Sequence, residues 1–569
     1  MKEGPIPILF SGGMNNQDAP LSLFLNKKGE VPLLINADTS RRGRLKLLRP
    51  LTALNTPAEA SSIHSIYRGK GSSIVLVGTG AYLKYLNGTA LTTLLDNLAT
   101  GNMSFAHAGN WVYLCNGTDK KAVYLLTPVG TDWGQAIPTA APTVADSGNP
   151  GNPDGTYQCY YRYKITLPDD SIIYTDLSAV DEVTVVTNQI SWSNIVHSTF
   201  VGATTCQAEL FRTATGLGGT FLVTTLDSGT TTYSDDLSDA ALQAKTAFAE
   251  TGYYPPPSNP NLAFYHPGAD RVFVAKDNNV YWSEVGLYHT FLYSAAAGEY
   301  SNINSVFLNG ENITGLCSYD EQLYIGCQRT WRRLRGTSPT YWTWEDTSAI
   351  KGPVSWSTVA ETPWGIVYVG NDGYIWLFNG DVAIKISEHF VFDTDPTATA
   401  HASFDGRFYR LYYGDSTYPE LVLDFHGFYS IPPRITKSTR TATASHYDPA
   451  SNMFYMGTSD GYLKNGEDTS QSVTLTLRTA EVPAEDLAKV GNLPSLLLHA
   501  NTGGDNLTIT PYHDDVAQDA LTPFISDSLI RDVLALDLGT YRALSLQISI
   551  TTSQDIELRE PWLIKEEEG

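Results

Sequence analysis

Few residues in this chain have the types and spacing that chemistry requires. His513-Asp514-Asp515 has the composition of a metal or acid/base cluster. Neighbours on a strand point to opposite faces, so only His513 and Asp515 can share one, and the segment reads as a solvated turn. Asp393 with Asp395, and Asp235 with Asp236, are paired acids of the kind glycosidases use. Without a geometry they are equally loop acids. Trp331, Trp342, Trp344, Trp356, Trp364 and Trp376 crowd one stretch, where they can stack on sugars or pack between sheets; packing is the better reading. G-x-S-x-G, H-E-x-x-H, P-loop and post-strand G-x-G-x-x-G patterns do not occur. The five cysteines lack C-x-x-C spacing; Cys159 and Cys206 fall in one candidate domain and could pair, or remain small buried hydrophobes. The expectation is a structural protein, not an enzyme, with no cofactor and no metal.

The composition narrows the partners. The 569 residues include 37 basic and 60 acidic side chains, a formal charge of −23. Such a surface repels phosphates and argues against sequence-reading of nucleic acid. It suits solubility, or a passage through which DNA slides without sticking. No run of 18 apolar residues marks a membrane-spanning helix, and the N-terminus lacks a secretory h-region, so synthesis in a cytoplasm without export is expected. Tyrosine is frequent (33) and methionine rare (5), which favours pleated strands.

The strongest pattern is a repeat of two short strands closing on a Gly or Asn turn. It recurs at Ser73–Gly88, Phe105–Leu125, Leu262–Gly286, Ile313–Gly336, Thr358–Gly380, His401–Gly427 and Thr443–Gly466. From Leu262 on, successive copies start about 40 to 50 residues apart, the spacing of propeller blades, after one long gap. One blade cannot bury both faces of its small sheet, so several must stack around an axis. After the second copy, Pro138–Asn152 reads as a Pro/Gly linker. Six or seven short strands follow, the pattern of an immunoglobulin- or fibronectin-III-like sandwich. Ala240–Glu250 reads as a brief helix. The expected fold is all-β: a β-propeller of about seven blades with an inserted sandwich and a C-terminal β-domain. The divisions are an extended docking arm (1–60), the first blades (61–137), the insert (138–252), the remaining blades (253–470) and the C-terminal unit (471–569).

The arm is broken into extended pieces by Gly12-Gly13, Asn15-Asn16, Pro20 and Pro32, and reads as packing across its own propeller or a neighbouring subunit. Arg41, Arg42, Arg44, Lys46 and Arg49 form a run of five basic residues with no acid. That reversal of sign is a solvated run or a dock for an acidic face of another copy.

Three groups of residues carry a resemblance to a family. The arm reads Gly12-Gly13-Met14-Asn15, Asp18-Ala19-Pro20, Leu34-Ile35-Asn36-Ala37-Asp38, Gly43-Arg44-Leu45 and Arg49-Pro50. The insert contains Tyr160–Leu177, Glu209–Thr213 and Tyr233-Ser234-Asp235, and the C-terminal unit Leu538–Gln547 and Pro561–Ile564. Together they resemble the tail-tube or nozzle proteins of tailed, particularly short-tailed, bacteriophages. The resemblance implies a virion protein: a homohexamer below the portal and adaptor ring, in contact with that adaptor and with tail fibres, that retains DNA and then conducts it during ejection. Gly12, Gly13, Asn15, Asp18, Asn36, Asp38 and the basic run Arg41–Arg49 are then candidate subunit- or adaptor-docking residues. A peripheral receptor-binding or glycan-processing propeller is the alternative, and a peptide-binding scaffold propeller a third.

Overall fold

In a computed structural model the described residues are 6–10, 12–26, 28, 30–41, 44–69, 71–215, 219–249, 253–294, 299–307, 310–336, 338–397, 399–426, 433–483, 494–521, 523–536 and 542–565. The fold is all-β, with two short α-helices, Pro20–Asn26 and Asp239–Gln243, among them. The second is the helix expected near Ala240, shorter than the sequence suggested and capped by Ser238, whose hydroxyl accepts from the Ala241 amide.

All seven repeat units lie in antiparallel meanders of consecutive strands. The first runs through Ile63–Arg68, Val75–Thr79, Tyr82–Asn87 and Ala90–Leu95, and the second from Ser104–Ala108 to Val129–Asp132. The third begins at Leu262–His266, the fourth at Gly315–Tyr319, the fifth at Ala360–Thr362 and the sixth at His401–Phe404. The seventh has only three consecutive strands, Ala444–Asp448, Met453–Gly457 and Leu463–Glu467; its fourth is Leu51–Ala53, from the other end of the chain. From the second meander to the seventh the leading strands lie beside one another in sequence order, that of the seventh lies against that of the first, and Tyr67 of the first stacks on Phe105 of the second. Each meander leaves two apolar faces, and neighbours cover them; Val112, Leu114 and Val123 of the second, for instance, pack on Leu76 and Leu83 of the first.

Between the second and third meanders, two antiparallel sheets stack face to face. One joins Thr143–Pro150, Asn188–Ser193 and Tyr233–Asp235; the other is built on Gly155–Thr166 and Thr205–Thr213. Alternate residues Tyr157, Cys159, Tyr161, Tyr163 and Ile165 point into their shared core, as period-2 patterning requires. The stretch 138–152 therefore is not all linker, since Thr143–Pro150 is the first strand of this unit. The same core continues through Trp111, Tyr113 and Trp133 into the second and third meanders, so the insert is packed down along its base. Cys159 and Cys206 do not pair, and all five cysteines are free.

The N-terminal segment and the C-terminal unit interleave. Ile6–Pro7 pairs with Trp562–Lys565, and Arg44–Leu47 with Glu557–Arg559. Leu33–Ile35 lies between Arg434–Ser438 of the sixth meander and Val473–Arg478, joining both into one ten-stranded sheet. Residues 1–60 thus supply strands to at least three sheets of their own chain. Phe10, Val31, Leu34 and Leu45 are completely buried in the resulting core.

Candidate functional site

The residues singled out in the arm converge on the seam between the sixth meander and the C-terminal unit. Gly13 has φ +89°, and a Cβ there would sit 2.8 Å from the Ile435 amide nitrogen, so the arm's backbone touches the sixth meander directly. The buried Asn15 closes the next turn. Its Oδ1 accepts from the amides of Gln17 and Asp18 (3.1 Å each), and its Nδ2 donates to Asp18 Oδ2 (3.0 Å) and Glu30 Oε2 (3.3 Å). Asn36 is left-handed (φ 52°) and buried. Its amide nitrogen donates to the Thr474 carbonyl (2.9 Å) and its Oδ1 accepts from the Thr439 amide (2.9 Å), linking strands on both sides.

The charged members are also engaged within the chain. Asp38 lies 3.5 Å from Arg407, which holds Asp424 at 2.8 Å; Thr39 donates to that same Asp424. Arg49, nearly buried, meets Asp555 at 2.9 Å, and Arg44 meets Glu557 at 3.2 Å. Lys46 is exposed, and Gly12 sits in a half-exposed turn. The Arg41 side chain and all of Arg42 lie outside the described residues. Most of the proposed docking set is therefore committed to fixing the arm on its own sheets.

A second feature was not singled out from sequence. Where the seven leading strands meet there is a partly open cavity of about 300 Å³, lined by residues of every meander. It has room for on the order of ten waters. His64, Glu361, His401 and His446 line it, with Ser65, Ser104 and Ser445. Burial holds His64 below its ordinary pKa, partly opposed by its bond to the Gly80 carbonyl, and lowers His401 and His446 to about 4. The protein around Glu361 raises its carboxyl above the usual range. Histidine occurs in five leading strands (His64, His107, His266, His401 and His446), a recurrence that aligning the repeats would have exposed.

The other candidates have ordinary partners. Asp514 and Asp515 form a left-handed turn; Asp514 accepts from the Arg542 and Ala543 amides and Asp515 pairs with Arg478. Asp235 is buried against Arg212 (2.6 Å), while Asp236 caps the Asn152 amide. Asp393 pairs with Lys437, and Asp395 accepts from the Thr397 amide. Trp331 stacks on Phe378 (centroids 5.3 Å, 8°) and Trp364 on Phe425 (5.3 Å, 19°). Trp342 packs on Phe273 and Trp282, so these rings are spent on packing. Among the described residues no group of three or more His, Cys, Asp or Glu side chains is placed to hold a metal. Among the described residues no helix is long and apolar enough to cross a membrane. Comparison with protein-family models and with curated proteins found no match.

Proposed function

We propose that the seven meanders are the blades of a β-propeller whose ring is closed by Leu51–Ala53, and that the insert is an immunoglobulin-like sandwich. On this reading the chain is a structural subunit of a phage tail nozzle or tube, which continues the portal–adaptor channel and retains and then conducts DNA. The observation that carries it is where the resemblance falls. Gly13, Asn15, Asn36, Asp38 and Arg49 are the residues that lock the arm across the seam of propeller and C-terminal unit. A match at such positions concerns how the whole molecule is tied together, not an isolated loop.

Size and charge supply the rest. A cavity of about 300 Å³ holds water, not a duplex. The conduit must then be enclosed between copies of the chain. A net charge of −23 gives such a wall a repulsive surface, over which a polyanion moves without being held. The homohexamer, with an adaptor ring above and tail fibres beside it, follows from the resemblance.

Retention is testable directly. Particles assembled without this chain should fill with DNA and then lose it, becoming sensitive to added nuclease. Particles that keep their DNA and remain infectious without the chain would discard the proposal.

A further inference from the structure

The C-terminal sheet has one buried and one open face, and the open one is basic. Leu45, Leu558, Leu498, Leu496 and Leu563 point inward. Directly paired residues share a face, so the pairings Arg559 with Arg44, His499 with Arg531, and Leu497 with both Val533 and Trp562 place these side chains together on the outside. Arg559 Nη1 lies 3.5 Å from His499 Nδ1, joining the two halves of a row across the sheet. Lys46, two residues from Arg44, adds to it. Two acids offset the row in part: Glu557, at 3.2 Å from Arg44 and 3.0 Å from Arg559, and Asp38, paired with Lys46. Burial first, then Arg559 and Arg531, hold His499 below its ordinary pKa. Beside the row stand Trp562 (40% exposed) and Val533 (46%).

The chain carries its own complement. Residues 138–252 hold thirteen acidic side chains against four basic ones. On the sandwich, the strand Asp181–Val185 pairs with Gly155–Thr166. Its outward Glu182 is exposed, as is Asp154 just before the partner strand. Exposed valines Val180 (47%) and Val186 (68%) flank the strand.

We infer that the basic outer face of the C-terminal sheet docks the acidic sandwich of a second copy, at its Asp181–Val185 strand. Two different patches meet, so the contact is head-to-tail, the kind that closes into a ring when the rotation allows. This names the subunit contact of the nozzle reading and rests on it. Arg and Trp beside apolar groups have the make-up of a protein interface, and a chain of net charge −23 repels nucleic acid at long range.

The test uses the full chain in sedimentation velocity and native mass spectrometry across a salt series. The wild type should self-associate and weaken as salt rises. K46E/R531E alone, and D154K/E182K alone, should each weaken association about tenfold or more, because each sets like charges face to face. An equimolar mixture of the two should assemble again, in alternation, which a misfolded variant would not do. Rings formed equally well by K46E/R531E would overturn the inference and leave the nozzle reading intact. A wild type that stays monomeric at low salt and in the particle would remove both. Retention of a duplex oligonucleotide by the wild type, lost in K46E/R531E, would reassign the face to nucleic acid and overturn the inference.

Discussion

Asn36 shows how much one side chain can hold. It adopts a backbone conformation that costs most residues about 1 kcal/mol or more, and its amide joins the sixth meander to the C-terminal unit. Asn36→Ala should lower stability by about 2–4 kcal/mol, measured by urea unfolding, since it removes two hydrogen bonds made by a buried side chain and leaves alanine in the left-handed conformation. Glu420 is a second such point. Burial pushes its carboxyl pKa up, but Arg410 and Arg440 more than offset this and hold it below the ordinary value. Glu420→Ala should cost about 3–5 kcal/mol by leaving those guanidinium groups buried without it. The histidines lining the cavity give the molecule a pH dependence. His401 and His446 have folded pKa values near 4, while the unfolded chain takes up protons from about 6.5. The unfolded state therefore binds more protons between those limits, and stability falls as pH drops from about 6.5 to 4, by up to about 3 kcal/mol per histidine. The depressed Glu420 acts in the same direction at lower pH. H401Q/H446Q should flatten the slope of the unfolding midpoint over that window; an unchanged slope would show that these side chains do not titrate on unfolding.

At the scale of elements, the ring and the arm depend on contacts distant in sequence. Leu51, buried against Tyr412 and Met456, anchors the strand that completes the seventh meander. Leu51→Ala should cost about 2–4 kcal/mol. In hydrogen exchange, the Leu463–Glu467 strand should lose protection together with Leu51–Ala53, while the sandwich stays protected. The same elements mark where sequence reasoning succeeds and where it stops. The meanders were legible because each brings its own turn residues and a run of alternate apolar side chains. The arm was legible only as broken extended chain: its strands are two to five residues long, and Ile6–Pro7, Leu33–Ile35 and Leu51–Ala53 find partners hundreds of residues away. Nothing local in Leu33–Ile35 indicates that it bridges two sheets. Thr143–Pro150 was hidden for another reason. It is an exposed strand of Asp, Ser, Gly, Asn and Pro with only Val144 turned inward, so its composition is that of a linker. The sequence singled out Asn15, Asn36 and Arg49 in the arm but not their partners, because an Asn or Arg looks the same whether its partner is its own sheet or another chain.

For the whole molecule, charge and shape lead to one account. The cavity among the meanders is narrow and water-sized, not a tube in itself. On the proposed reading, a tube requires copies arranged around an axis outside each set of seven meanders, with acidic walls and a basic face available for the next copy. The account's central claim is that arrangement, and electron microscopy of the native particle with symmetry assigned at this chain's position tests it most directly. The account predicts a sixfold ring on the tail axis, enclosing a channel wide enough for duplex DNA, with each C-terminal sheet against a neighbouring sandwich. Single copies or trimers set off that axis would contradict it.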